Sequence, residues 1–152
     1  MKRSAAFLIA FLAQVAPSLA LAWSLGAKDI GQVTLDSVPS VVQASDVVFA
    51  GVLASLLSAI GFGIVVVTFA PAVYLRHSRS ITLIVFAYIA CSLFSAHLVA
   101  VWFAESYGAT WMPWEPLYEL GLRNAVTLPA FFWAFLAAHA LLRVVYKSRA
   151  SL

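Results

Sequence analysis

The chain has 152 residues, of which 64% are hydrophobic and only 10% charged, and its mean hydropathy is +0.99. An ordinary soluble domain carries about 25% charged residues, so this composition excludes one and points to a bilayer as solvent. The formal charge of +3 comes from basic residues in short groups between apolar runs; without a clustered basic face, nucleic acid is not an expected partner.

Lys2 and Arg3 precede the apolar run Ala5–Leu25, which ends near Ala20-Leu21-Ala22. That is the form of a cleavable signal, yet the run is long enough to span. It is read as a retained first helix over about 5–25, loosened or kinked by Pro17, which membrane neighbours tolerate. A loop over 26–45, with Lys28, Asp29, Asp36 and Pro39, leads to Ser45, placed to cap the second helix.

The second span, 46–75, is the most informative stretch. Val47 to Val73 carries no charge, and Gly51, Ser55, Ala59 and Gly63 recur every fourth residue, with Ala50, Ala54 and Ser58 beside them. In a helix these form a stripe of small side chains. Such a stripe lets another backbone approach closely, a main source of attraction between helices in lipid. The helix is expected to stop near Pro71 and Tyr74. Arg76-His77-Ser78-Arg79 is then a short basic turn, which makes the second and third spans antiparallel neighbours.

The third span, 81–103, has two small rows of its own: Ala87, Cys91 and Ser95, and Ser92, Ala96 and Ala100. Cys91, the one cysteine, is a packing residue that offers no disulfide or thiol pair. The loop over 104–125 is rich in aromatics, with Tyr107, Trp111, Trp114 and Tyr118. Trp and Tyr favour the headgroup layer, so Trp111, Trp114 and Tyr118 are read as an outer docking surface. Pro116 to Arg123 predicts a short interfacial helix, with Glu115, Glu119 and Arg123 spaced to pair. The fourth span, 126–146, tolerates Pro129 in its first turn. It repeats the small-residue device in Ala130, Ala134 and Ala138, and it carries Phe131, Phe132, Trp133 and Phe135 for lipid or a neighbouring subunit.

Charge sets the orientation. With an inside start, the inner segments hold Lys2, Arg3, Arg76, Arg79, Arg143, Lys147 and Arg149. The outer loops hold Lys28, Arg123 and all the acidic residues: Asp29, Asp36, Asp46, Glu105, Glu115 and Glu119. By the positive-inside rule both termini are cytoplasmic. The expected fold is an all-α membrane protein: one transmembrane domain over 1–152, an antiparallel bundle of four helices, N-in and C-in, in the inner (cytoplasmic) membrane.

Ionisable groups at depth are functional candidates, and no Lys, Arg, Asp or Glu lies mid-span. Counting about 1.5 Å per residue from the inner ends puts His139, Tyr88 and Thr68 roughly 10 Å deep and Gln14 roughly 13 Å. These four are expected to form one polar layer, with a hydrogen bond between His139 and Tyr88, since a lone imidazole is costly in hydrocarbon. His97 and His139 are the weak cofactor candidates. Their depths differ by about 14 Å on the same count, which argues against a haem held by both, and no cofactor or metal is expected. The chain has no P-loop, GxSxG, HExxH or CxxC motif. The expected role is a non-catalytic subunit that packs against other transmembrane proteins and lipids. The rivals are a homo-oligomeric pore or carrier, holin-like or for small solutes, and a small haem, redox or lipid-linked module using His97 or His139.

Overall fold

The computed structural model describes residues 2–32, 44–76, 81–106 and 112–147. It contains helices α1 (Lys2–Gln32), α2 (Ala44–Arg76), α3 (Ile81–Ser106) and α4 (Thr127–Lys147), with a short π-helical turn, Leu117–Leu122, before α4. Each long helix has an apolar segment sufficient to cross a bilayer: Arg3–Gly26, Gly51–Tyr74, Ile81–Ala104 and Thr127–Tyr146.

Helix ends differ from the expected ones where no residue forces a stop. α1 runs on to Gln32, taking Gly26 and the residues after it out of the expected loop. α2 begins at Ala44, which puts Ser45 inside its first turn, and continues through Pro71 to Arg76. A proline removes one hydrogen bond without ending a helix when its surroundings hold the backbone in place. Tyr107 and Trp111 lie outside the described residues.

Many large apolar side chains face outward, and small or polar ones fill much of the interior beside Leu21, Phe62, Phe103 and Leu142. Leu8, Trp23, Leu57, Ile64, Phe86, Leu128, Phe132, Trp133 and Val144 are exposed, while Ala6, Ala10, Ala13, Ala22, Ala54, Ser55, Ser58, Ala59, Ser95, Ala96 and Ala100 are buried. Water would not tolerate so much exposed apolar surface on a monomer. Hydrocarbon does, and there tight packing of small residues is the available attraction. The fold and composition are therefore compatible with a multi-pass membrane protein.

α1 is the hub. It packs against the other three long helices, most extensively α2 and then α4, whereas α3 and α4 barely touch. The small stripe of α2 faces α1: a side chain at Gly51 would meet Leu19 and Ala22, and one at Gly63 would meet the Phe7 ring. Ser55 and Ala59, between them, are fully buried. The stripe read as a helix-packing face is thus covered by the chain's own first helix. On α4, Ala138 is buried, while Ala130 and Ala134 are half-buried.

The turn before α4 is held by local bonds. Arg123 pairs with Glu119 at 2.6 Å, while the Glu115 carboxylate accepts from the Met112 amide at 2.7 Å rather than joining a ladder. Gly121 is buried close to Ala96 of α3. Buried Asn124 donates to Ser24 of α1 at 2.8 Å and accepts from the Val126 amide at 2.9 Å, tying the start of α4 to the end of α1.

The glycines give a contrasting test. A Cβ at Gly51 would lie 3.3 Å from the Leu19 Cα, a backbone atom that cannot swing away, whereas one at Gly61 meets only the Cys91 sulfur at 3.9 Å. Gly51→Val should lower unfolding stability in detergent by about 1–3 kcal/mol through overpacking. Gly61→Ala should be neutral or stabilise by up to about 1 kcal/mol through helix propensity. Equal responses in thermal unfolding would contradict the α1–α2 packing described.

Candidate functional site

One group of interior polar residues lies on the contact between α1 and α3, with a tyrosine reaching a third helix. Gln14 Nε2 donates to Ser92 Oγ at 3.3 Å, and the Ser18 and Ser95 hydroxyls bond one turn further along. Ser18 Oγ also donates to the Gln14 carbonyl at 2.7 Å. All four side chains are buried. The Tyr88 hydroxyl lies 2.7 Å from the Phe131 carbonyl of α4 and 3.2 Å from the Ala13 carbonyl of α1, directing its proton to both.

Pro17 explains the second of these contacts. It has no N–H, so the carbonyl four residues earlier, that of Ala13, loses its helical donor. In hydrocarbon such a carbonyl needs another partner, and Tyr88 supplies it from α3. The Tyr88 ring is fixed edge-on to Phe62, centroids 5.1 Å apart, and against Phe135 at 4.9 Å. One side chain therefore ties α1, α3 and α4 and packs on α2.

These contacts correct the expected polar layer. Tyr88 bonds carbonyls, not His139. His139 Nδ1 instead pairs with the Tyr74 hydroxyl at 2.7 Å. Thr68 is exposed and donates back to the Ile64 carbonyl at 2.8 Å. The layer assumed that all helices begin at one inner level. Tyr88 meets Phe62, Phe131 and Phe135, which lie roughly a turn or two further from the C-terminal ends of α2 and α4 than Tyr88 does from Ile81. α3 therefore starts deeper than α2 and α4 finish.

The two imidazoles sit at different levels. His139 stacks on Phe135 and lies by Tyr74, which stacks in turn on Tyr146 with centroids 5.8 Å apart and planes 10° apart. His97 belongs to the other end, one residue from Ala96 and its contact with Gly121; its buried Nδ1 has no hydrogen-bond partner among the described residues. Nor do three His, Cys, Asp or Glu side chains gather as a metal site among those residues. At the expected docking surface, Trp114 and Tyr118 are exposed at 63% and 51%.

Because α3 and α4 diverge, a cleft of about 360 Å³ opens between them. Tyr88, Ser92 and Phe131 are buried in its floor, and Ile89, Leu93, Leu128 and Phe132 are exposed at its lips. Its lining is almost wholly apolar. The bonding of Gln14 to Ser92 and Ser18 to Ser95 turns the hydroxyls away from it and towards α1. The cleft can receive apolar side chains or hydrocarbon; it offers no catalytic constellation.

No family, curated protein or solved structure matches the chain. Tyr74 and the serine pair are the site residues that sequence reasoning missed. Gln14 with Ser18, and Ser92 with Ser95, are polar pairs at helical spacing on two apolar spans, and that spacing was the available signal.

Tyr88→Phe should lower stability by about 0.5–1.5 kcal/mol. In a Pro17→Ala background, where Ala13 regains a backbone donor, the same change should cost measurably less. A double-mutant cycle in detergent unfolding with no coupling between positions 17 and 88 would refute the carbonyl-rescue account.

Proposed function

We propose that the chain is a non-catalytic integral subunit of an inner-membrane assembly, and that the cleft between α3 and α4 receives apolar side chains of a partner transmembrane helix. The cleft is the observation that carries this reading. α1 and α2 satisfy each other, whereas α3 and α4 leave an open apolar groove with exposed Leu93, Leu128 and Phe132 at its lips. Apolar grooves between helices are where membrane partners gain packing contacts.

The bundle is antiparallel in this reading, with both termini cytoplasmic. Gly51 beside Leu19 and Ala22, with Gly63 beside Phe7, supports opposed directions for α1 and α2. The basic residues of the inner segments support the orientation. Exposed Trp114 and Tyr118 support an interfacial place for the turn before α4, where it would extend the docking surface. A pore is the weaker reading, because among the described residues the exposed positions of the long helices are chiefly apolar, with only scattered polar ones such as Thr68 and Thr82.

Native mass spectrometry of the full chain extracted in gentle detergent tests the subunit reading. A heterologous transmembrane protein should co-purify, and Ile89→Trp, which fills the groove from its lip without touching the buried floor, should reduce its recovery at least tenfold. Recovery only as a single copy or a self-oligomer would overturn the proposal. For topology, a fluorescent protein fused after Leu152 should fluoresce, and alkaline phosphatase fused at the same point should be inactive. The opposite pattern would reverse the orientation.

A further inference from the structure

We propose that the chain re-enters the bilayer ahead of α4: the segment 112–126 dips into the leaflet where α1 ends, and α4 starts roughly 10 Å below that leaflet's surface. The partner of the segment's exposed face is then the lipid of that leaflet. This placement rests on the antiparallel reading above.

Tyr88 fixes one common level. Its hydroxyl lies 2.7 Å from the Phe131 carbonyl of α4 and 3.2 Å from the Ala13 carbonyl of α1, and its ring centroid is 5.1 Å from that of Phe62 on α2. From this level each apolar segment runs to the same end of the bundle. α1 continues from Ala13 to Gly26, roughly 20 Å; α2 runs from Phe62 back to Gly51, roughly 16 Å; α3 runs from Tyr88 to Ala104, roughly 24 Å. α4 goes only from Phe131 back to Thr127, roughly 6 Å. It therefore falls roughly 10–18 Å short of its three neighbours.

The segment before α4 fills that difference. Asn124 donates at 2.8 Å to Ser24, two residues inside the end of the α1 apolar segment. Gly121 lies against Ala96, eight residues or roughly 12 Å inside the end of the α3 segment. The π-helical turn thus lies alongside α3, below the helix end rather than across its top. Irregular backbone survives at such depth only where its polar groups find protein partners, and this segment supplies many of its own. The amides of Glu115, Tyr118, Arg123, Asn124 and Thr127 donate to carbonyls within 112–124. Glu115 accepts from the Met112 amide, Asn124 Oδ1 accepts from the Val126 amide, and Glu119 pairs with Arg123. Met112, Trp114 and Tyr118, the large side chains the segment exposes, suit the boundary between headgroups and acyl chains.

The test uses the full chain with Cys91→Ser, which removes the one cysteine, reconstituted in phosphatidylcholine vesicles. Trp23→Cys, Phe49→Cys, Tyr118→Cys and Leu128→Cys, all at exposed positions, each carry one nitroxide. EPR power saturation by oxygen against a water-soluble nickel chelate reads the depth of each label. The label at 128 should lie roughly 10 Å deeper than the label at 23, and the label at 118 should lie in lipid, no shallower than 23. Equal depths at 128 and 23, or a label at 118 open to the nickel chelate, would overturn the re-entrant segment alone. Labels at 23 and 49 together, measured by pulsed EPR, should be closer than the bilayer core's thickness of about 30 Å. A greater separation would overturn the antiparallel reading, and the re-entry with it.

Discussion

The contact between α1 and α2 governs the rest of the bundle. Gly51 and Gly63 leave room for Leu19 and Phe7, and Ser55 and Ala59 between them are wholly buried. With no water to expel inside a bilayer, such close approach supplies attraction that hydrophobicity cannot. It also makes α1 the hub from which α3 and α4 are placed. Because α1 contacts both of them while they barely contact each other, the cleft between α3 and α4 follows from that arrangement.

The bonded polar groups then act as fasteners between helices. Gln14, Ser18, Ser92 and Ser95 bond across α1 and α3, Tyr88 reaches α4, and Asn124 secures the approach to α4 from the loop. Buried polar groups in hydrocarbon are costly unless bonded, so each of these pairs also fixes which residues face one another. The Tyr74–His139 pair does the same between α2 and α4.

The four long helices were legible because apolar length alone decides them: each run reaches the length a bilayer requires. The stripe from Gly51 to Gly63 was legible as a packing face because its spacing depends only on the helical repeat. What covers it was not legible, since nothing in the stripe distinguishes α1 of the same chain from a foreign helix. The polar layer failed for a related reason. Tyr88 sits the expected distance along α3, but hydrogen bonding depends on how far one helix is shifted along its neighbour, and that shift is set by the shapes of all the contacting side chains. Pro17 was visible as a weak point in α1, while its rescuer, seventy-one residues away at Tyr88, became apparent only once α3 was in register.

The Ala13 carbonyl has a consequence for the order in which the molecule is completed. During synthesis α1 and α2 emerge before α3 exists, so α1 enters the bilayer with that carbonyl uncapped and with Gln14 and Ser18 lacking their cross-helix partners. Those unmet bonds lie together on the side that α3 will cover. A newly made chain halted after its second crossing therefore presents a polar patch, and arrival of the third crossing gives partners to the Ala13 carbonyl, the Gln14 amide nitrogen and the Ser18 hydroxyl. The nascent protein thus carries a chemical mark of incompleteness, the kind of signal by which unfinished membrane proteins can be told from finished ones.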